Sequence, residues 1–116
     1  MSDEPLHAER DDLFDEGNLA LAIGDLEEAA KVYKAVVDLD PDFFDGWHAY
    51  GMVLMKLERF KEAIGAGLQA TTLRPNDLLA WTALSQMYVS NGQIAEAEDA
   101  KQKATILGIG GKIVKE

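Results

Sequence analysis

Small and bulky apolar residues return along this chain in a fixed register of 34 positions. Bulky side chains align as Leu13, Trp47 and Trp81, as Leu26, Phe60 and Ile94, and as Leu39, Leu73 and Leu107. Small ones align as Gly17, Gly51 and Ser85, as Ala29, Ala63 and Ala97, and as Val36, Ala70 and Ala104. Leu39, Pro41 and Trp47 are echoed by Leu73, Pro75 and Trp81 at the same offset. Within a unit, Trp47, Gly51 and Leu54 share one helical face, whereas Met52 and Met55 lie on another. Two closely packed helices need small side chains where backbones approach and large ones to fill the grooves. The pattern therefore predicts paired helices, one pair per period.

Each unit carries a breaker near its middle and another at its end. "IGDLEEA", "LERFKEA" and "NGQIAEA" occupy the middle positions. Gly24 and Gly92 suit the left-handed conformation that closes a helix, and Glu58 holds the same place in the second unit. Proline disfavours helix in the residue before it, so Asp40–Pro41 and Arg74–Pro75 end second helices, with Asp42 or Asn76 available to cap the next. Helices are expected near residues 5–23, 26–39, 43–57, 60–73, 77–91 and 94–107. The frame places an N-terminal extension at 1–9, units at 10–43, 44–77 and 78–111, and a short tail at 112–116.

A chain of 116 residues, 47% hydrophobic and 28% charged, fits one globular domain. The absence of cysteine excludes disulfides and thiolate metal sites and suits a reducing interior, so a cytoplasmic location is expected. "MSDEPLHAERDD" is acidic where a secretory signal is basic then apolar, and membrane insertion is not expected. The charge is lopsided: residues 1–45 hold 14 Asp and Glu against three Lys and Arg, whereas residues 46–116 balance at +1 within a total of −10. Such a surface repels phosphate backbones, which argues against nucleic acid.

The second unit reads Trp47, Tyr50-Gly51, Leu54, Ala63, Ala70 and Pro75; the third reads Trp81, Leu84-Ser85, Tyr88, Ala97 and Ala104. The first is weaker, with Leu13, Gly17, Ala20, Ala29, Tyr33 and Pro41. These residues resemble the tetratricopeptide repeat, whose 34-residue signature holds Trp, Leu-Gly, Tyr, Ala, Phe and Pro at set places. The resemblance implies an all-α fold, a right-handed superhelix of three stacked helix-turn-helix units. Glu16 departs from the family's apolar preference, which suggests a solvent-facing end helix. Gly67 and Lys101 replace the aromatic that Tyr33 supplies. Lys101 suits a polar terminal face, whereas Gly67, beside Gly65, marks either a close helix contact or a small gap.

The resemblance further implies a concave groove lined by the first helix of each unit, holding a peptide or a partner's segment. Carried over by position, its residues are Asp11, Phe14, Asp15, Asn18 and Leu21; Asp45, His48, Met52, Met55 and Lys56; and Leu79, Thr82, Gln86 and Val89. Leu21 and Val89 are expected to pack between helices. One use of the fold grips an acidic chaperone tail through Lys, Asn and Arg. Only Asn18 matches that clamp, and Phe14, Ala49, Leu79 and Ala83 occupy its other places. The expected partner is instead a protein or peptide with basic and apolar residues, since adaptable methionines favour apolar ligands of imperfect shape. An adaptor or scaffold role is expected, with two alternatives: a small acidic chaperone dedicated to one client, or a self-assembling unit using the apolar positions of "TILGIGGKIVKE".

Catalytic chemistry finds no footing in the residues. His7 and His48 lack a third ligand at metal spacing. Ser2, Ser85 and Ser90 have no adjacent base in a nucleophile pattern. "GIGGK" lacks the spacing of a phosphate loop and reads as a flexible tail. The expectation is a non-enzymatic protein with neither cofactor nor metal.

Overall fold

In the computed structural model, residues 3–115 are described, with side-chain surroundings from residue 7 onward. Six helices make up the described chain: α1 (Asp3–Ala22), α2 (Leu26–Leu39), α3 (Phe44–Lys56), α4 (Phe60–Leu73), α5 (Leu78–Ser90) and α6 (Ile94–Gly108). Each packs on the next, and α3 also touches α5. Three-residue turns close α1–α2, α3–α4 and α5–α6 into antiparallel pairs.

The three turns share one hydrogen-bond scheme. Asp25, Arg59 and Gln93 donate their backbone N–H to Ala20, Leu54 and Tyr88, at 2.9, 2.9 and 2.8 Å. The residue before each takes a positive φ: +83° at Gly24, +59° at Glu58 and +77° at Gly92. This is the Schellman closure, which satisfies helix-end carbonyls. Glu58 adopts it without glycine's freedom, because the scheme demands that conformation there.

The caps after the prolines differ from expectation. Asp42 and Asn76 do not cap α3 and α5; Phe43 and Asp77 stand at those positions. The turn that opens at proline closes one residue later, with Phe43 and Asp77 donating to the carbonyls of Asp40 and Arg74 at 3.2 Å. Asp77 accepts from the N–H of Ala80 at 2.9 Å, whereas Phe43 makes no side-chain cap bond. Trp47 and Trp81 are half-buried. Their indole N–H groups donate to the carbonyls of Pro41 and Pro75, both at 2.7 Å, tying each first helix to its loop.

Tyr33, Val36, Val37, Val53, Leu54, Leu84 and Met87 are the largest fully buried side chains. The small residues serve close approach. A Cβ on Gly17 would lie 2.5 Å from Cε1 of Tyr33, and one on Gly51 would lie 2.8 Å from Cε of Met87. Gly67 is resolved in favour of contact: a Cβ there would sit 2.8 Å from Sδ of Met87 and 3.0 Å from Cδ1 of Leu84. The space that an aromatic fills within the first unit is thus filled in the second by a methionine reaching from the third.

Both ends face solvent, with Glu16 and Lys101 exposed as expected. The tail is held, contrary to its expected flexibility. Oδ1 of Asn76 accepts from the N–H of Ile113 and Val114 at 2.9 and 3.0 Å. Nδ2 of Asn76 donates to the Val114 carbonyl at 2.7 Å.

Candidate partner-binding face

The residues singled out on α1, α3 and α5 fall into two groups. Phe14, Leu21, Met52 and Met55 are half-buried and pack against the same core cluster. Asp11, Asp15, Asn18, Asp45, Lys56, Thr82 and Gln86 are exposed, as is Leu79 at 68%. Val89, expected to pack between helices, is instead 54% exposed, because among the described residues no further helix pair stacks beyond α5 and α6. The methionines and Phe14 thus offer partial apolar surface beside carboxylates, a pairing that α1 and α3 provide and α5 does not.

Phe14 is fixed by its neighbours. Its ring centroid lies 5.7 Å from Tyr33 and 5.2 Å from Phe43, the latter edge-to-face. Arg10 lies over the Phe43 ring, with its guanidinium 4.1 Å from the centroid. Arg10 also bonds Asp40 at 2.7 Å and Asp11 at 2.9 Å, and the Asp40 carboxylate holds its pKa above the ordinary value. Asp11 therefore belongs partly to this network, though its side chain remains 59% exposed.

Several side chains have local employment that the sequence did not disclose. Oδ1 of Asn18 accepts from the Tyr33 hydroxyl at 2.6 Å, and burial pushes that phenol's pKa up. The hydroxyl of Thr82 donates to the Leu78 carbonyl within its own helix at 2.9 Å. His48 stacks on Phe44 with 5.9 Å between centroids, and the Arg74 guanidinium lies 4.2 Å from the same Phe44 ring. The adjacent Phe43 and Phe44 are thus each covered by an arginine. Sequence reasoning missed this arrangement, although a Phe-Phe pair at the start of a first helix was there to be seen.

The surface depressions include one of about 410 Å³ lined by Leu68, Trp81, Leu84, Tyr88 and Lys103, away from the face described above. The ammonium of Lys103 lies 4.9 Å from the Trp81 centroid there. Among the described residues, no group of three His, Asp and Glu is placed to hold a metal ion. Among the described residues, no helix is long and apolar enough to cross a membrane.

The Tetratricopeptide repeat family profile matches residues 14–77, more than half of the chain. The chain belongs to the tetratricopeptide repeat family. It is 33% identical over 88 residues to tetratricopeptide repeat-containing protein trd-1 of Caenorhabditis elegans, covering 76% of this chain and 11% of that protein. Among solved structures, MamA from Desulfovibrio magneticus RS-1 superposes with a TM-score of 0.79 at 28% identity, covering 84% of this chain and 55% of that one. The second such domain of Spaghetti (RPAP3), bound to the HSP90 peptide SRMEEVD, gives 0.78 at 20% identity, covering 84% and 91%. That last likeness is one of fold. Six helices in three pairs make the same superhelix here, all-α through the described residues. The family is a non-enzymatic protein-interaction fold.

Proposed function

We propose that this tetratricopeptide domain is an adaptor or scaffold whose first-helix face takes up a partner segment. The segment carries an apolar anchor beside Lys or Arg. The observation that carries the reading is Phe14, Met52 and Met55, half-buried on one core cluster, with exposed Asp11, Asp15 and Asp45 on the same helices. Methionine adapts to ligands of imperfect shape, and carboxylates around an apolar spot favour a cationic partner. In this reading the units run 10–43, 44–77 and 78–111, and Asn18 and Gln86 bond the backbone of an extended ligand. His48, Lys56, Leu79 and Thr82 contact its flanks. A chain of net charge −10 without cysteine suits a reducing cytoplasm and repels nucleic acid.

The second such domain of Spaghetti (RPAP3), alike in fold, is bound to the acidic HSP90 peptide SRMEEVD. The chemistry here favours the opposite charge, because Phe14, Ala49, Leu79 and Ala83 offer no cation to a carboxylate. Met52→Gln combined with Met55→Gln tests the face directly. Helicity and melting should stay near wild type, within about 1 kcal/mol, while co-purification of the native partner is lost. A collapse in stability would instead make both methionines core residues. In the same experiment, several components of one assembly support a scaffold, whereas a single stoichiometric client identifies a dedicated chaperone.

A further inference from the structure

The two ends of the stack carry apolar spots of opposite charge. At the first end Leu19 is 64% and Ile23 72% exposed. With Ala20 and Val32 they line a depression of about 210 Å³, bordered by Glu16 and Glu28. The repeat register explains why Leu19 is bare. Its counterparts one and two periods on are Val53 and Met87, only 1% and 2% exposed within the body of the stack. A further helix pair cannot occupy this end in the same register. Asp12, Asp15 and Glu16 stand where the later units place Gly46 and Ala80, Ala49 and Ala83, and Tyr50 and Leu84. Burying three unpartnered carboxylates is prohibitive. A short apolar segment with positive charge fits instead, because it can cover Leu19 and Ile23 while leaving those acids at its edge.

The segment that follows α6 is of this kind, and it lies beside the loop between α4 and α5. Ile109 is 82%, Val114 46% and Ile106 37% exposed. Lys112 and Lys115, both exposed, bracket Ile113 and Val114. The segment is ordered in place by its three hydrogen bonds with Asn76 and by a left-handed turn at Gly110, φ +93°. A preformed segment loses less conformational entropy on docking than a disordered one.

We propose that copies of this chain associate head to tail. The segment 109–115 of one copy covers Leu19 and Ile23 of the next, with Lys112 and Lys115 against Glu16 and Glu28. Such a contact is heterologous, so it extends into open chains unless the rotation closes a ring. The patches are small, which makes the association weak, concentration-dependent and sensitive to salt.

Sedimentation velocity on the full chain tests this. Leu19→Arg with Ile23→Arg blocks one end, and Ile109→Asp with Val114→Asp blocks the other. All four residues are exposed, so both variants should keep wild-type helicity. The expected result is a wild-type mass that rises with concentration and falls back in high salt, while each variant alone stays monomeric. Mixed in equal amounts, the two variants should form a species of two chains and nothing larger, because each retains the end the other lacks. A wild type that stays monomeric would overturn the proposal and assign the patches to other proteins. Association surviving the loss of one end would overturn it in favour of like-with-like pairing, and failure of the mixture to pair would overturn it too.

Discussion

Gly17 and Gly65 both lie inside helices, yet a methyl group added to each would meet different surroundings. At Gly17 it would fall 2.5 and 2.6 Å from two ring carbons of Tyr33, a fully buried side chain held by its bond to Asn18. At Gly65 it would meet nothing within 4 Å. Gly17→Ala should therefore destabilise the domain, since overpacking costs about 1–3 kcal/mol. Gly65→Ala should stabilise it by about 0.5–1 kcal/mol, the usual helix penalty of glycine. Opposite shifts in thermal melts would confirm the packing, and two shifts of the same sign would contradict it. The sequence located Gly17 in a register of small residues but gave no contrast between Gly65 and Gly67. That contrast lives in Met87, which reaches over Gly67 from the next helix pair and leaves Gly65 facing water.

At the scale of helices, the two tryptophans fasten each first helix to the loop that precedes it. Trp81→Phe removes the bond to the Pro75 carbonyl and should cost about 1 kcal/mol, because that carbonyl can turn to water. Trp81→Ala removes most of the packing as well and should cost about 3 kcal/mol, the low end for a large aromatic, since the ring is only half-buried. Urea melts would measure both, and an alanine variant as stable as wild type would refute the packing role. The helices and their three turns were legible because the 34-residue repeat states each of them more than once. Glu58 could be placed in a left-handed turn only through its register with Gly24 and Gly92. The caps slipped by one residue because a proline turn takes two residues beyond the proline before helix resumes. The order of the tail was not legible, since Asn76 lies 37 residues away from Ile113 and local pattern says nothing of such a bond. On the candidate face, the placement of the residues on first helices was readable but their exposure was not. Half-burial of Met52 and exposure of Val89 depend on which neighbour lies across from each helix.

Over the whole molecule, the charge separates along the stack, with residues 1–45 at −11 and the remainder at +1. A partner bearing Lys and Arg would feel this field before contact, and steering of that kind accelerates association by an amount that salt removes. Screening sets the range, with a Debye length of about 8–10 Å near physiological salt. Asp15 and Asp45 are exposed, and Asp11 keeps more than half of its side chain in solvent although Arg10 neutralises it in part. Changing all three to asparagine should slow association several-fold at low salt and leave dissociation nearly unaltered. Arg10 keeps Asp40 as a partner in that variant, so the local structure around Phe43 should survive. The methionine changes should do the reverse, speeding dissociation with little effect on the association rate. Copies of the chain docking end to end would also respond to salt, so the kinetics belong at protein concentrations low enough for single chains. Association rates measured across a salt series should converge for wild type and triple variant as ionic strength rises. Rates that differ equally at every salt concentration would mean the aspartates touch the partner directly, and salt-independent, equal rates would leave the acidic half no part in recognition.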